Sequence, residues 1–451
     1  MPRLSPSLLR RAHSISPHLA ALLPACRDIT SARNELRWIR EHVLSSSPFP
    51  SSSFNPISPS PLSSSSSSSS SSATSTTPRK RRRNAGIVPV NPAAAAAESV
   101  EQEARIAHLC RERGRRGVPL QYVLGSQPFG DLDIECRPGV LIPRPETEAW
   151  VFGVADLIVR SSLSPISSTT TTTTTMMKTG HDHKVVKKEK RRPPSLRIVD
   201  FCTGTGCVAL LLFSLLRRHC EGLAQLSVCG FDVDEKAVAL ARRNLAANMC
   251  RREYLREGQG HHHAVTFERV DVFSEDWRPF LQQQQRRHEN DGERSAKTNA
   301  EVGKDEERGK KMDVLVANPP YISARGFNHD TGRSVRNHEP KLALVPDLTL
   351  SRGSGVRPED VFYARLLQIA EQTRPGIVVF EVGDLAQAVR VVEMALLSRV
   401  QKGGWDGVEI WRDWPDMTPE EDEVQVVQVG GVHVPVKGSG SGRVVVLRCD
   451  D

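Results

Sequence analysis

No two of the nine cysteines are spaced as CxxC, so the sequence spells out neither a zinc frame nor a disulfide scaffold, and the reduced thiols of an intracellular enzyme fit better. No apolar run approaches the ~18 residues needed to cross a bilayer, which excludes a spanning helix and predicts a soluble protein with no call on a membrane. Acids are missing from the beginning of the chain: none precedes Asp28, while Arg3, Arg10 and Arg11 stand among Leu and Ser. That is the composition of a mitochondrial transit peptide, expected here over 1–24, although an ordinary basic N-terminal helix has the same look. The net charge of +8 and pI near 9.1 raise a nucleic-acid partner. Much of the excess, however, sits in Arg79–Arg83 and Lys187–Arg192, where solvated low-complexity tails or nuclear signals explain it equally well. The cluster His261–His263 has no acidic partner beside it, so it reads as a loop, and no metal is expected.

Leu36, Ile39 and Val43 recur at helical spacing behind Ser31, a capping candidate, and predict a helix over Ser31–Val43. The stretch 45–97 is dominated by Ser, Pro and Ala, with an unbroken Ser run from Ser63 to Ser72, and cannot bury enough apolar surface to order itself. Helical patterning resumes over Ser99–Arg113. Residues 25–118 therefore read as a small helical domain split by an insertion at about 45–97. Over 119–145 a linker follows, with short alternating runs at Asp131–Cys136 and Val140–Ile142 that suggest a β-hairpin across "RPG".

The remainder, 146–451, alternates β-rich runs of about six residues with amphipathic helical lengths: "LRIVDF", "LSVCGFD", "VTFERVDVF", "DVLVA" and "GIVVFE". This predicts an α/β, doubly wound, mostly parallel sheet closed by an antiparallel C-terminal hairpin, "GVEIW" and "GRVVVLR". Polar or low-complexity insertions are expected at about 161–194, which holds the Thr169–Thr175 run, and at 255–263, 282–311 and 415–440, the last read as a loop.

Ligands of such sheets bind outside the carboxyl ends of the strands near the switch point, and the unusual residues lie there. The first strand runs into "DFCTGTGC", where Gly204 and Gly206 permit a tight turn. Alone, "TGTG" fits a structural turn, a phosphate loop or a cofactor site. Asp232, ending the second strand, suits the hydroxyls of a ribose or a helix cap, a role Asp234 could also fill. Asp271, ending the third, could accept from an adenine amine or sit in solvent. Together they fit an adenosine-containing cofactor, with Asp200 free to meet an ammonium group. The fourth strand ends in "NPPY". An amide or exocyclic amine is a poor nucleophile, so methyl transfer to it needs acceptors that grip its two N–H groups and aim the nitrogen. The Asn318 side-chain oxygen and the Pro319 carbonyl can do so, held stiff by Pro319 and Pro320. Tyr321 can cover one face of the planar group and offer π density to a sulfonium.

The segments "PLQYVLG" (Pro119–Gly125), "LIPRPETE" (Leu141–Glu148), "DFCTGTGC", "NPPYIS" and "NHEPKLAL" (Asn337–Leu344) resemble the class I S-adenosylmethionine-dependent methyltransferases, and more closely the peptide-chain release factor glutamine N5-methyltransferases of the HemK/PrmC type. The resemblance spans roughly Pro119–Asp413. It implies methylation of the glutamine in a release factor's GGQ loop, supporting translation termination, by a class I methyltransferase with S-adenosyl-L-methionine as cofactor. Cofactor contacts carry over to Thr203, Gly204, Thr205, Gly206, Asp232, Asp271, Val272 and Asn318, and substrate contacts to Asn318, Pro319, Pro320 and Tyr321. Arg144 and Glu146 lie beside the substrate. Two departures stand out: Cys202 where a Gly is usual, and Val272 where an aromatic often packs on adenine. With the leader, the resemblance points to a mitochondrial matrix enzyme, a monomer whose partner is a release factor and which needs no nucleic acid. Cytoplasmic or nuclear residence is the alternative. Two rival functions fit the same residues: an adenine N6-methyltransferase acting on a flipped base, and a non-catalytic scaffold that keeps the fold. No target-recognition domain is evident for the first, and the second has no need of Asp232, Asn318 and Tyr321 together.

Overall fold

The computed structural model describes residues 4–45, 92–161, 195–219, 225–249, 262–281, 312–399 and 404–449. Both basic runs, the Ser and Thr runs, and the 282–311 insertion lie outside them. The chain forms two compact units, Met1–Val123 and Leu124–Asp451.

The first unit is helical. Helices α1 (Pro6–Ile15) and α2 (Pro17–Cys26) open it. The break falls at Ser16, held extended before Pro17, which has no N–H to continue the helix. Ser16 caps α2 by accepting from the His18 amide at 3.2 Å. Helix α3 (Ile29–Ser45) follows, and its cap is Asp28, whose Oδ1 takes the Ser31 amide at 2.8 Å. The Ser31 assignment is thereby corrected: the helix begins two residues earlier because an Asp is available there. Helix α4 (Pro92–Arg111) continues into a π turn, Glu112–Arg116, which α2 packs against. Gly114 in that turn permits the approach, since a Cβ would lie 1.6 Å from the Ala21 carbonyl oxygen. Ala12, Leu19, Leu22 and Leu23 are buried together with Leu36, Ile39 and Val43, so residues assigned to the leader are part of this unit's interior.

The second unit begins with a hairpin, β1 (Ser126–Phe129) and β2 (Leu132–Glu135), joined through Gly130 at φ 61°. The sequence placed the hairpin one run too late. Val140–Ile142 is not a strand, and its apolar residues instead pack against other elements. Among the described residues nine strands form the main sheet: β3 (Ser195–Phe201), β4 (Gln225–Asp232), β5 (His262–Arg269), β6 (Val314–Ala317), β7 (Ile377–Glu381), β8 (Gly407–Trp414), β9 (Val426–Val429), β10 (Val432–Lys437) and β11 (Ser439–Arg448), in the order β5-β4-β3-β6-β7-β11-β8-β10-β9. The β5–β7 block is parallel, and β11 runs antiparallel to both β7 and β8. Parts of two expected loops are strand, while 255–261 lie outside the described residues. His262 and His263 belong to β5, where His263 Nδ1 accepts the Leu226 amide at 3.1 Å. Within 415–440, β9 and β10 turn on Gly430 and Gly431 and extend the sheet.

Central strands are buried on both faces, and the side-chain alternation of period two divides them between two cores. Ile198, Leu226, Val228, Val314 and Val316 face α5 (Pro145–Arg160) and α6 (Cys207–His219). Val199, Phe201, Cys229, Phe231 and Leu315 share the other face with α8 (Val361–Thr373) and α9 (Leu385–Arg399). Helix α7 (Glu235–Met249) joins β4 to β5. The strand order reverses between β3 and β6, which puts the switch point beside Asp200 and Asn318.

Candidate active site

From β3 the chain enters the loop Cys202–Gly206 and then α6. Cys202 takes φ 62°, the left-handed region that favours Gly, so the residue that departs from the family pattern stands where the backbone asks for glycine. Gly206, at φ 79°, meets a second limit: a Cβ there would be 2.8 Å from the Phe267 ring. The loop is fastened by the Thr203 amide to the Phe231 carbonyl, 2.9 Å, and by the Gly204 amide to Asp232 Oδ2, 2.9 Å. Asp232 Oδ1 accepts the Asp234 amide, while Asp234 caps α7 through the Lys236 amide. Asn244 of α7, fully buried, accepts the Glu135 amide at 2.7 Å and donates to the Thr205 carbonyl at 3.0 Å, so hairpin and glycine loop share one clamp.

Asp200, the residue expected to meet an ammonium group, lines the cavity and already has one partner. Its Oδ2 takes the Thr203 hydroxyl at 2.6 Å, and burial, with Asp232 nearby, pushes its carboxyl up to about 7. Burial likewise raises Asp232 above the usual carboxylate range.

The second half of the site is the corner after β6. Asn318 Nδ2 approaches Thr147 Oγ1 at 3.5 Å. Thr147, in the first turn of α5, donates to Glu381 Oε2 at 2.6 Å, and Trp150 Nε1 donates to the same oxygen at 2.7 Å. The Tyr321 hydroxyl donates to Glu381 Oε1 at 3.1 Å. Glu381 is 1 % exposed, and burial raises it above the usual carboxylate range. Behind the corner, Gln387 donates to the Tyr321 carbonyl and to Asp360 while accepting the Gly383 amide. Glu339, from "NHEPKLAL", accepts the Ile142 amide at 3.1 Å and Arg144 Nη2 at 2.8 Å, which binds that segment to "LIPRPETE".

These pieces surround one cavity at the carboxyl ends of β3, β4 and β6. Asp200, Thr203, Gly204, Thr205, Asp232, Asp271, Val272, Asn318, Pro320 and Arg144 line it; Gly206, Pro319, Tyr321 and Glu146 are close in sequence but not among the lining residues. Asp200, Asp232, Asp234 and Asp271 face the cavity, whereas its cation, Arg144, is already paired with Glu339. The potential there favours a positively charged ligand. Val272 lacks an aromatic ring, but Phe273 and Phe362 both line the cavity, with ring centroids 5.0 Å apart at 77°. Sequence reasoning passed over Thr147, Glu339, Glu381 and both of these rings. Glu381 carried a usable signal, an acid at the end of the fifth strand, which is the rule that selected Asp232 and Asp271.

The sheet order, the glycine loop and the acids at successive strand ends define a class I methyltransferase. Residues 227–343, which include the "NPPY" corner, match the model of the Eco57I restriction-modification methylase family. Over 293 residues the chain is 30% identical to the "Probable MRF1 mitochondrial N(5)-glutamine methyltransferase mtq1" of Schizosaccharomyces pombe, covering 63% of this chain and 69% of that one. It is 29% identical over 348 residues to the mitochondrial MRF1 N(5)-glutamine methyltransferase MTQ1 of Saccharomyces cerevisiae, covering 77% and 69%. A release factor glutamine methyltransferase of Bacteroides thetaiotaomicron is 28% identical over 287 residues, covering 62% and 70%. The chain belongs to this N(5)-glutamine methyltransferase family.

Proposed function

We propose that the protein methylates the side-chain nitrogen of the GGQ glutamine in a mitochondrial peptide-chain release factor, acting as a monomer in the matrix with S-adenosyl-L-methionine as cofactor. The observation that carries this reading is the rigid Asn318–Tyr321 corner opening on an acid-lined cavity at the switch point. Excess negative charge suits a ligand that carries a sulfonium and an ammonium. Asp200 and the Thr203–Gly206 loop would hold the amino-acid portion, Asp232 the ribose, and Asp271, Val272, Phe273 and Phe362 the adenine. The cofactor, when bound, supplies the electrophilic methyl group.

The protein's own part is positioning. An amide nitrogen has a delocalised lone pair and must be aimed at the methyl carbon. Asn318 Oδ1 and the Pro319 carbonyl accept its two N–H groups, and the consecutive prolines keep those acceptors from relaxing. Arg144 is held by Glu339 at the same rim, where it keeps "IPRPETE" against the cavity.

Transfer of labelled methyl from S-adenosylmethionine to a purified mitochondrial release factor tests the proposal, beside the same factor with its GGQ glutamine replaced by Ala. Label is expected on the wild-type factor alone. Label on both factors would move the target to another residue, and label only on DNA or RNA in a parallel assay would replace the reading with the adenine alternative.

A further inference from the structure

We propose that Glu381, acting through Thr147, sets which end of the Asn318 side-chain amide faces the substrate. The inference rests on the function proposed above and concerns two residues that the family motifs around the site leave without a role. A side-chain amide can face a neighbour with its oxygen or with its NH2, and only one choice leaves Oδ1 pointing at the reacting nitrogen. The Trp150 indole N–H can only donate, so the Glu381 oxygen that it shares with Thr147 is an acceptor. Glu381 takes three donors, Thr147 and Trp150 on one oxygen and Tyr321 on the other. The single hydroxyl proton of Thr147 is therefore committed to Glu381 at 2.6 Å. What Thr147 has left to offer Asn318 is a lone pair, and the Asn318 group that can meet a lone pair is NH2. Nδ2 accordingly lies on the Thr147 side, at 3.5 Å, which turns Oδ1 away from it.

The direction of the chain, Asn318 to Thr147 to Glu381, is imposed at its buried end. Thr147 and Glu381 are 2 % and 1 % exposed, so water does not compete to reverse it. Trp150, whose side chain is fully buried, and Tyr321 hold the carboxylate from two further directions. Thr147 and Glu381 are thus positioning residues, and the group that touches substrate is Asn318.

Three variants of the full chain test this: Thr147→Val, which keeps shape and loses the hydroxyl, Thr147→Ser, which keeps the hydroxyl, and Glu381→Gln, which gains an NH2 able to donate to Thr147. Each is assayed with tritiated S-adenosylmethionine and the purified release factor, and its cofactor Kd is measured by calorimetry. Thr147→Val and Glu381→Gln are expected to lower kcat about 10- to 100-fold, as loss of an aligned hydrogen-bonding group does, with cofactor Kd within about threefold of wild type. Thr147→Ser is expected to restore kcat to within about threefold. Turnover of Thr147→Val near that of the wild type would overturn the proposal. So would a Thr147→Ser variant as impaired as Thr147→Val, which would assign the role to the methyl group's packing, or a loss confined to cofactor affinity. Absence of label from the wild-type enzyme would instead count against the proposed function itself.

Discussion

Removal of the Glu339 carboxylate is the perturbation whose size the structure specifies best. Its side chain is 1 % exposed and has two partners, the Ile142 amide and the Arg144 guanidinium. In Glu339→Ala the Ile142 N–H, on a residue 2 % exposed, is left buried without an acceptor, at a cost of about 1–3 kcal/mol. Arg144 suffers less, because its side chain is 30 % exposed and can turn to water. Its interaction with Glu339 therefore falls between a surface pair, ~0–1 kcal/mol, and a buried one broken on one side, ~3–5 kcal/mol. With the second term at about 1–3 kcal/mol, a total loss of about 2–6 kcal/mol follows. The assay is urea unfolding of wild type, Glu339→Ala, Arg144→Met and the double variant, with the cofactor Kd measured on each. A coupling of about 1–2 kcal/mol between the two positions is expected. Because residues 139–144 line the cavity, cofactor affinity should fall alongside stability. A coupling below about 0.3 kcal/mol, within the error of independent sites, with affinity unchanged would refute the claim that Glu339 holds the "IPRPETE" segment in place.

Other perturbations reach different parts of the site. Asn318→Ala should reduce turnover by about 100-fold or more while leaving cofactor affinity within a few-fold, since it removes an acceptor aimed at the reacting group; near-normal turnover in the methyl-transfer assay would contradict the assigned role. Asp200, raised to about 7 from 3.8, binds a proton in the folded protein that the unfolded chain releases. Its contribution to the stability of the cofactor-free protein is therefore full below its unfolded value and is lost as pH rises through about 7. A cationic cofactor prefers the ionised form, so its affinity should weaken by up to about tenfold per unit as pH falls below 7, and calorimetry on Asp200→Asn should show that dependence flattened. In Gly230→Ala the new Cβ meets the Phe267 ring at 2.5 Å and Thr203 Oγ1 at 2.7 Å, and overpacking of about 1–3 kcal/mol is expected in urea unfolding. A change under about 0.5 kcal/mol would mean that the sheet and glycine loop can separate there at little cost.

How much of this was legible in the sequence depended on whether the signal was local. The parallel strands were readable because residues such as Ile198 and Val199 face opposite cores and are both apolar, so the runs announce themselves without their partners. The hairpin was misplaced because Val140–Ile142 is as apolar as a strand for a different reason: Ile142 is buried with its amide held by Glu339. The His-rich start of β5 disguised a strand as a polar loop, since β5 lies at the edge of the sheet, where a polar side chain such as that of His263 is tolerated. The 415–440 stretch hid β9 and β10 in the same way, with outward residues such as His433 and Lys437 diluting the apolar alternation.

The least legible feature is also the one that explains the motifs. "LIPRPETE" and the segments it accompanies are separated by nearly two hundred residues or more, yet each supplies half of a bond that the other completes. Arg144 and the Ile142 amide meet Glu339, and Thr147 and Trp150 meet Glu381. A carboxylate taken from water is costly unless donors replace the lost hydration. Neither Glu339 nor Glu381 could be buried beside the cavity without the helix-starting segment that carries those donors, and that segment would have no fixed place on the sheet without the two carboxylates. Residues that a sequence reading assigns to substrate contact, such as Arg144 and Tyr321, are in the structure first of all partners of these buried acids. The Asn318–Tyr321 corner is held by the network behind it, from Glu381 and Thr147 to Gln387.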